Sequence, residues 1–214
     1  MFDLDKISTE ILCDLKVTTS KIQKHIVFDS PRSVGEAVQK YLAEMGLRTV
    51  LTKFGINNIE TNFGRREMED MAFEDCDGNY YAVDVKTHNL DTDFNMPNLT
   101  SVKRLAEFYK EGETKIFCIL IVSYNVNFCE KNIEFKECHF KRIESFDWSC
   151  LTIGALGWGQ IQIANAKNLT FVESTNRKEW MNKLCQKLQG FYEKEISKIE
   201  ERKKWVSTIG KKWK

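Results

Sequence analysis

The sequence lacks the cysteine spacing of disulfide frameworks and of zinc sites. Its seven cysteines are an odd number and include no Cys-x-x-Cys pair. Cys138 and His139 are adjacent, and neighbours on one strand point to opposite faces, which disfavours a shared zinc ion. The first six residues are too polar for a secretory signal peptide. The pattern predicts free thiols in a reducing, cytoplasmic compartment.

Long apolar runs and a strong net charge are also missing. The longest apolar run, residues 116–122, is far shorter than the roughly 20 residues that span a bilayer, so no membrane association is expected. The net charge is +1, so nucleic-acid binding would need local clusters of Lys and Arg, such as Lys103 with Arg104. A hydrophobic content of 42% without repeats or linkers predicts one domain over residues 1–214.

A β-hairpin is predicted over residues 70–86. A turn rich in Asp, Gly and Asn separates two short apolar segments, and the second is rich in aromatic and β-branched residues. Alternation along that second strand places Asp84 and Lys86 on one face and the intervening valines on the other. The first strand can bring Asp70 beside them, so that two carboxylates and one ammonium group converge.

Two interpretations of this cluster are open. Asp70 and Asp84 could hold Mg²⁺, which prefers oxygen ligands and keeps several waters, and which activates water and polarises phosphodiesters. Lys86 would then orient or deprotonate the attacking water, or stabilise charge on the phosphate. The alternative is an ordinary Asp–Lys ion pair on a solvated sheet face, and the spacing alone favours that alternative.

The rest of the chain predicts an α/β fold, with a central mixed β-sheet flanked by helices. An almost continuous apolar segment at 115–124 is typical of a strand buried on both faces. Residues 1–28 are expected to form a helical or irregular leader that breaks at 18–20, followed by a core over 29–170 and a C-terminal helical region over 171–214. Further predictions are helices over 33–45 and 101–110 and from 176 onward, strands over 135–143 and 160–163, a polar loop over 87–98, and a turn or short helix over 147–155.

Glu36 also has two interpretations. It stands three residues after Ser33, as a helix-capping box requires, with Gly46 ending that helix. The second interpretation, an acidic residue close to the metal site, is implied only by the family resemblance described next.

The motif Asp70-(13 residues)-Asp84-x-Lys86 resembles the signature of the PD-(D/E)xK nucleases, with Glu69 where the motif name has Pro. Residues 83–89 and 96–101 narrow the likeness to type II restriction endonucleases, in particular to HincII-like and EcoRV-like enzymes. Segments at 35–37, 159–163 and 177–180 add to this resemblance, which covers residues 30–214 loosely and is strongest from 80 to 105.

The resemblance implies a restriction-endonuclease-like core in which Asp70, Asp84, Lys86 and Glu36 are catalytic, and Asp70 and Asp84 bind Mg²⁺ or Mn²⁺. It implies DNA contacts from the loop after the catalytic strand, from the helix that follows, and from a later strand. The residues concerned are Thr87, His88, Asn89, Asn95, Asn98, Ser101, Lys103, Arg104, Gln160 and Gln162. From the residues alone, a polar surface loop and an exposed sheet edge remain alternatives for the loop and the strand.

The resemblance therefore predicts a prokaryotic enzyme that cleaves double-stranded DNA at a short palindromic site and leaves 5′-phosphate ends. Symmetric cutting calls for a homodimer, and such an enzyme works alongside a DNA methyltransferase that protects the host. The alternatives are a repair nickase or junction resolvase on the same core, and a catalytically silent DNA-binding protein.

Overall fold

A mixed β-sheet forms the centre of the computed structural model, which describes residues 3–64, 67–92, 98–155, 157–164, 168–173 and 176–213. The strands are β1 (Ile59–Glu60), β2 (Met71–Glu74), β3 (Tyr80–Asn89), β4 (Asn98–Ser101), β5 (Lys115–Asn127), β6 (Asn132–Arg142), β7 (Leu151–Gly154) and β8 (Gln160–Ile163). The helices are α1 (Leu4–Gln23), α2 (Pro31–Tyr41), α3 (Leu47–Lys53), α4 (Val102–Lys110) and α5 (Arg177–Lys212). The predicted α/β class, with a mixed sheet flanked by helices, is confirmed.

The central sheet has the order β1-β2-β3-β5-β6, and a smaller sheet has the order β4-β8-β7. Strands β3 and β5 pair in parallel, whereas the other neighbours in the central sheet are antiparallel. A parallel pair needs a crossover connection, and here the chain crosses through β4 and α4. The predicted buried strand is β5, which lies between β3 and β6 as its continuous apolar sequence indicated.

Two hydrophobic layers cover the central sheet. On one face, Val83 and Val85 pack with apolar residues of α1, α2 and α3. On the other face, Ala82 packs with Leu105 of α4, Ile161 of β8 and residues of α5. Alternation along β3 therefore turns the face that carries Asp84 and Lys86 towards α4 and the smaller sheet.

The predicted hairpin is confirmed as β2 and β3. Its turn is organised by Asp75, whose Oδ1 accepts hydrogen bonds from the backbone N–H groups of Asp77 and Asn79 at 3.0 and 2.9 Å. Gly78 supplies the left-handed backbone conformation with φ of 77°. The first paired residues, Met71 and Val83, bring the residue before β2 next to the middle of β3.

The expected break at residues 18–20 is wrong, because α1 continues through them. The hydroxyls of Thr18 and Thr19 donate to the carbonyls of Asp14 and Leu15 at 2.7 Å, so they are satisfied without leaving the helix. The apolar side of α1 belongs to the core, and Ser8 accepts a hydrogen bond of 2.8 Å from the backbone N–H of Phe140 on the edge strand β6. The helix thus covers that edge of the sheet.

The predicted start and end of the next helix also need correction. Ser30, not Ser33, is the N-cap, and Ser33 rather than Glu36 completes the capping box. Gly46 does not end the helical run, which passes through a π-helical turn over Leu42–Gly46 into α3. A Cβ at Gly46 would lie 3.0 Å from the Tyr41 ring, so close packing accounts for the glycine.

Three other segments differ from expectation or extend it. Strand β3 continues to Asn89, so residues 87–89 are part of a strand and not of the expected loop. The expected turn or short helix over 147–155 contains the strand β7, whose residues pair with β8. The C-terminal region is one helix, α5, and its residues Ile196, Ile199 and Trp205 are exposed. No helix in the described part of the chain is long and apolar enough to cross a membrane.

We predict that Ser8→Ala lowers the free energy of unfolding by about 1–3 kcal/mol, because it leaves the buried N–H of Phe140 without an acceptor. Thr9→Ala is the matched control, since Thr9 is exposed and bonds only within α1. Its effect should stay within about 0.5 kcal/mol. Urea denaturation measures both, and equal losses for the two variants would contradict the role of α1 in covering β6.

Candidate functional site

A cleft of about 660 Å³ lies between the hairpin, α4 and the segment that leads into β8. Seven of the residues predicted from the sequence line it: Asp70, Asp84, Lys86, Ser101, Lys103, Arg104 and Gln160. They come from four separate parts of the chain: the hairpin places Asp70 beside Asp84 and Lys86, and the crossover from β3 to β5, with its pairing to β8, brings the others.

Asp84 is the most constrained residue of the cleft. Its residue surface is only 5% exposed, and its Oδ1 accepts a 2.6 Å hydrogen bond from Lys86 Nζ. Its Oδ2 is buried and has no hydrogen-bond partner among the described residues. A buried, unpaired carboxylate oxygen is costly, so the site favours either a proton or a cation at this atom.

The pKa of Asp84 reflects this environment. Burial raises it to about 7, with Lys86 acting in the opposite direction and nearby Asp70 raising it further. Near neutral pH the metal-free carboxyl therefore exchanges between its protonated and ionised forms. A cation bound beside Asp84 would displace the proton and favour the ionised form.

Asp70 is held beside Asp84 by the start of the hairpin. Its backbone N–H donates to the Val83 carbonyl at 2.8 Å, and its Oδ2 accepts from the Val85 N–H at 2.8 Å. Gln39 of α2 also donates to Oδ2, at 3.3 Å. These bonds fix one oxygen of Asp70 and bring the two carboxyl groups to neighbouring positions on the sheet, as the hairpin predicted.

The cleft contains more carboxylates than cations. Glu67, Glu69 and Glu107 line it together with the two aspartates, against Lys86, Lys103 and Arg104. Burial raises the pKa of Glu69 above its usual range. A polyanion could approach this excess of negative charge only with a counter-cation in the cleft.

The cation that fits best is a hard one. Within the described residues, no group of three or more His, Cys, Asp or Glu side chains is placed to hold a metal ion. Two carboxylates without a third side-chain ligand suit Mg²⁺, which completes its shell with water, better than Zn²⁺, which needs three or four protein ligands.

Glu36 does not line the cleft. Its side chain on α2 is 63% exposed and pairs with Arg32, with Nε and Oε1 2.8 Å apart. Gln39, one turn further along α2, is the residue that reaches Asp70. The predicted catalytic position of Glu36 is therefore not observed, because α2 turns it towards solvent.

Thr87, His88 and Asn89 also lie away from the cleft. Thr87 lies on the opposite face of β3, where its hydroxyl donates to the Gly35 carbonyl at 3.3 Å. His88 and Asn89 are buried, and Asn89 Oδ1 accepts from the Asp91 N–H at 3.0 Å. They therefore belong to an extended β3 rather than to the expected loop, and they are not among the residues that line the cleft.

Asn98 and Gln162 form a separate pair on the smaller sheet. Gln162 Nε2 donates to Asn98 Oδ1 across β4 and β8, beside Gly154, where a Cβ would clash with the glutamine side chain. Neither residue lines the cleft, whereas Gln160, which lies on the same face of β8 two residues before Gln162, does. Asn95, the remaining predicted contact, lies outside the described residues.

Several residues that line the cleft were not predicted from the sequence, and Trp158 is the clearest of them. This side chain is 63% exposed at the rim, and Lys103 Nζ lies 5.3 Å from its ring centroid. The turn that presents it has glycine on both sides, Gly157 with φ of 55° and Gly159 with φ of 94°. A Gly-Trp-Gly sequence before a strand was the available signal for an exposed aromatic residue held on a tight turn.

In comparisons with known proteins, no family model and no curated protein matches this chain.

We predict that Asp84→Asn stabilises the metal-free protein at neutral pH. The folded pKa of about 7 exceeds the usual 3.8, so the stability that the proton contributes is complete below pH 3.8 and is lost as the pH rises to 7. The advantage of Asp84→Asn over wild type should therefore grow by roughly 2–3 kcal/mol from pH 5 to pH 8, at about 1.4 kcal/mol per pKa unit.

Urea unfolding in EDTA at several pH values measures this difference. Asp77→Asn, which neutralises an exposed carboxyl in the hairpin turn, is the control and should show no comparable pH trend. A stability difference for Asp84→Asn that is flat with pH would contradict the burial of an ionisable Asp84.

Proposed function

We propose that this protein is a Mg²⁺-dependent endonuclease of the PD-(D/E)xK type that cuts double-stranded DNA. The observation that carries the proposal is the buried, unpartnered Oδ2 of Asp84, beside Asp70 and Lys86 in a polar cleft. An ordinary surface ion pair would leave both carboxylate oxygens in water. The hairpin, the parallel β3–β5 pair and the helices on both faces are compatible with the core that the sequence motif implies.

Asp70 and Asp84 would hold the cation through one oxygen each, because Asp70 Oδ2 is engaged by Val85 and Asp84 Oδ1 by Lys86. When bound, Mg²⁺ would polarise the phosphodiester and lower the pKa of a bound water. Lys86 remains within reach of the same space and can orient the attacking water or stabilise negative charge on the phosphate. Its bond to Asp84 keeps its ammonium group positioned before substrate arrives.

The cleft walls provide contacts for nucleic acid. The positively charged side chains of Lys103 and Arg104 on α4 can contact backbone phosphates, and the Ser101 hydroxyl can donate a hydrogen bond to a phosphate oxygen. Gln160 offers an amide that can both donate to and accept from a base edge. These four residues, rather than the segment 87–89, are the proposed DNA contacts near the scissile phosphate.

Site-specific cleavage of restriction type is the finer part of the proposal, and the motif resemblance of residues 83–101 supports it. Two-fold symmetric cutting of a palindrome to 5′-phosphate ends requires two copies of the chain, each contributing one cleft. A host methyltransferase acting on the same site would then be the functional partner.

We predict that Asp84→Asn and Lys86→Ala each slow DNA cleavage by about 10²–10³-fold or more, since each removes an electrostatic group at the reacting phosphate. Asp84→Asn should also weaken Mn²⁺ binding measured by calorimetry, whereas Lys86→Ala should keep metal and DNA binding. Lys110→Ala, an exposed lysine at the end of α4, is the control and should cleave normally. Wild-type cleavage rates in either cleft variant would overturn the assignment.

We further predict that Mg²⁺ and Mn²⁺ support cleavage, while Ca²⁺ supports DNA binding without cleavage because its longer and more variable coordination fits the reaction poorly. A supercoiled plasmid incubated with each ion distinguishes the possibilities. Discrete linear products support a restriction enzyme, and nicked circles instead indicate a nickase or resolvase. An unchanged plasmid with a gel shift indicates a binding protein, and cleavage in EDTA would contradict the metal mechanism.

A further inference from the structure

The second half of α5 carries an apolar stripe that no other part of the described chain covers. Ile196, Ile199, Val206 and Trp213 follow one another at intervals of three, seven and seven residues, which places them on one side of the helix. They are between 50% and 85% exposed. Large exposed apolar side chains aligned on one side of a helix are typical of an interaction site.

Only the first half of α5 is attached to the domain. Trp180 and Leu184 are buried, and the Trp180 Nε1 donates to the Phe146 carbonyl at 3.1 Å. The Tyr192 hydroxyl donates to the Trp158 carbonyl at 2.8 Å. From Ile199 onward, within the described residues, the hydrogen bonds stay inside the helix. Residues 199–212 thus form about 20 Å of helix that is held only by bonds within the helix.

This extension has a poor intrinsic tendency to be helical on its own. Its final turns contain the β-branched residues Val206, Thr208 and Ile209 followed by Gly210, all of which lower helix stability. Unpacked helices of this length are marginal in water, and packing of an apolar face normally supplies their stability. Packing against a partner surface would therefore stabilise this extension.

The charges of α5 identify that partner. Residues 193–201 contain four glutamates and two lysines, whereas residues 202–212 contain five basic residues and no acidic one. A second copy of the same helix running in the opposite direction would place each acidic half beside a basic half. A parallel copy would place like charges together, which is unfavourable.

We propose that the second half of α5 pairs antiparallel with the same segment of a second copy of the chain, through the stripe formed by Ile196, Ile199, Val206 and Trp213, to form a homodimer. The pairing is isologous, as a two-fold interface requires. It would supply the two copies that symmetric cutting requires, yet it can be tested separately, because a chain that does not cut DNA can still pair and a monomeric chain keeps a complete cleft that can nick one strand.

Sedimentation velocity of the full-length chain tests the pairing. Ile199→Glu places a charge in the stripe of both copies and should raise the dimer dissociation constant at least about a hundredfold. Thr208→Glu is the matched control, because nine residues along a helix is half a rotation and puts the same charge on the opposite side. It should leave the dissociation constant within about threefold, and circular dichroism of both variants verifies that the domain stays folded.

A charge exchange gives a second, independent test. One variant carries Lys in place of Glu193, Glu200 and Glu201, and the other carries Glu in place of Arg202, Lys203 and Lys204. Each alone should be monomeric, and an equimolar mixture should form the heterodimer, because the opposite halves are complementary again. A wild-type chain that is monomeric throughout the micromolar range, or a mixture that does not associate, overturns the proposal. A monomeric chain that instead needs its basic segment to bind duplex DNA or anionic vesicles overturns it as well.

Discussion

The parallel pairing of β3 with β5 is the constraint on which the rest of the structure depends. Parallel neighbours cannot be joined by a tight turn, so the chain must leave the sheet and return along a crossover. That crossover contains β4 and α4, and it carries Ser101, Lys103 and Arg104 to the face of β3 that displays Asp84. Because β4 in turn pairs with β8, Gln160 arrives on the same side. The wall of the cleft opposite Asp84 therefore depends on the crossover between β3 and β5.

The burial of Asp84 in this cleft lowers the stability of the metal-free fold. Its carboxyl is buried on a strand in the middle of the sheet, its second oxygen has no partner among the described residues, and its pKa rises to about 7. Lys86 compensates only in part, since it reaches one oxygen. A buried carboxyl with a raised pKa is characteristic of functional sites, and under the proposed function a cation would supply the positive charge that the protein leaves out. The same carboxyl on an open sheet face would be hydrated and would keep its ordinary pKa.

The first and the last helix pack differently against the domain. The helix α1 completes the domain, covering the edge strand β6 with Ser8 and burying its apolar side against the central sheet. The helix α5 completes the other hydrophobic layer only as far as Tyr192, then continues outward with an apolar stripe and a separation of acidic from basic residues. One amphipathic helix belongs to the core along its length, whereas the other packs against the core over its first half and leaves its apolar stripe exposed over the remainder.

Short-range sequence patterns were sufficient to predict much of the fold and of the cleft. Period-two alternation placed Asp84 and Lys86 on one face, and turn residues defined the hairpin that brings Asp70 alongside. The unbroken apolar segment identified β5 as an interior strand of the sheet. These features depend on neighbours within a few residues, which is why the sequence by itself determined them. Tertiary structure alone decided what covers each face. It buried His88 and Asn89 by extending β3, turned Glu36 to solvent while directing Gln39 to Asp70, and collected Lys103, Arg104 and Gln160 around the aspartates. Periodicity specifies the side of an element on which a residue lies, but the environment of that side depends on which distant elements pack there.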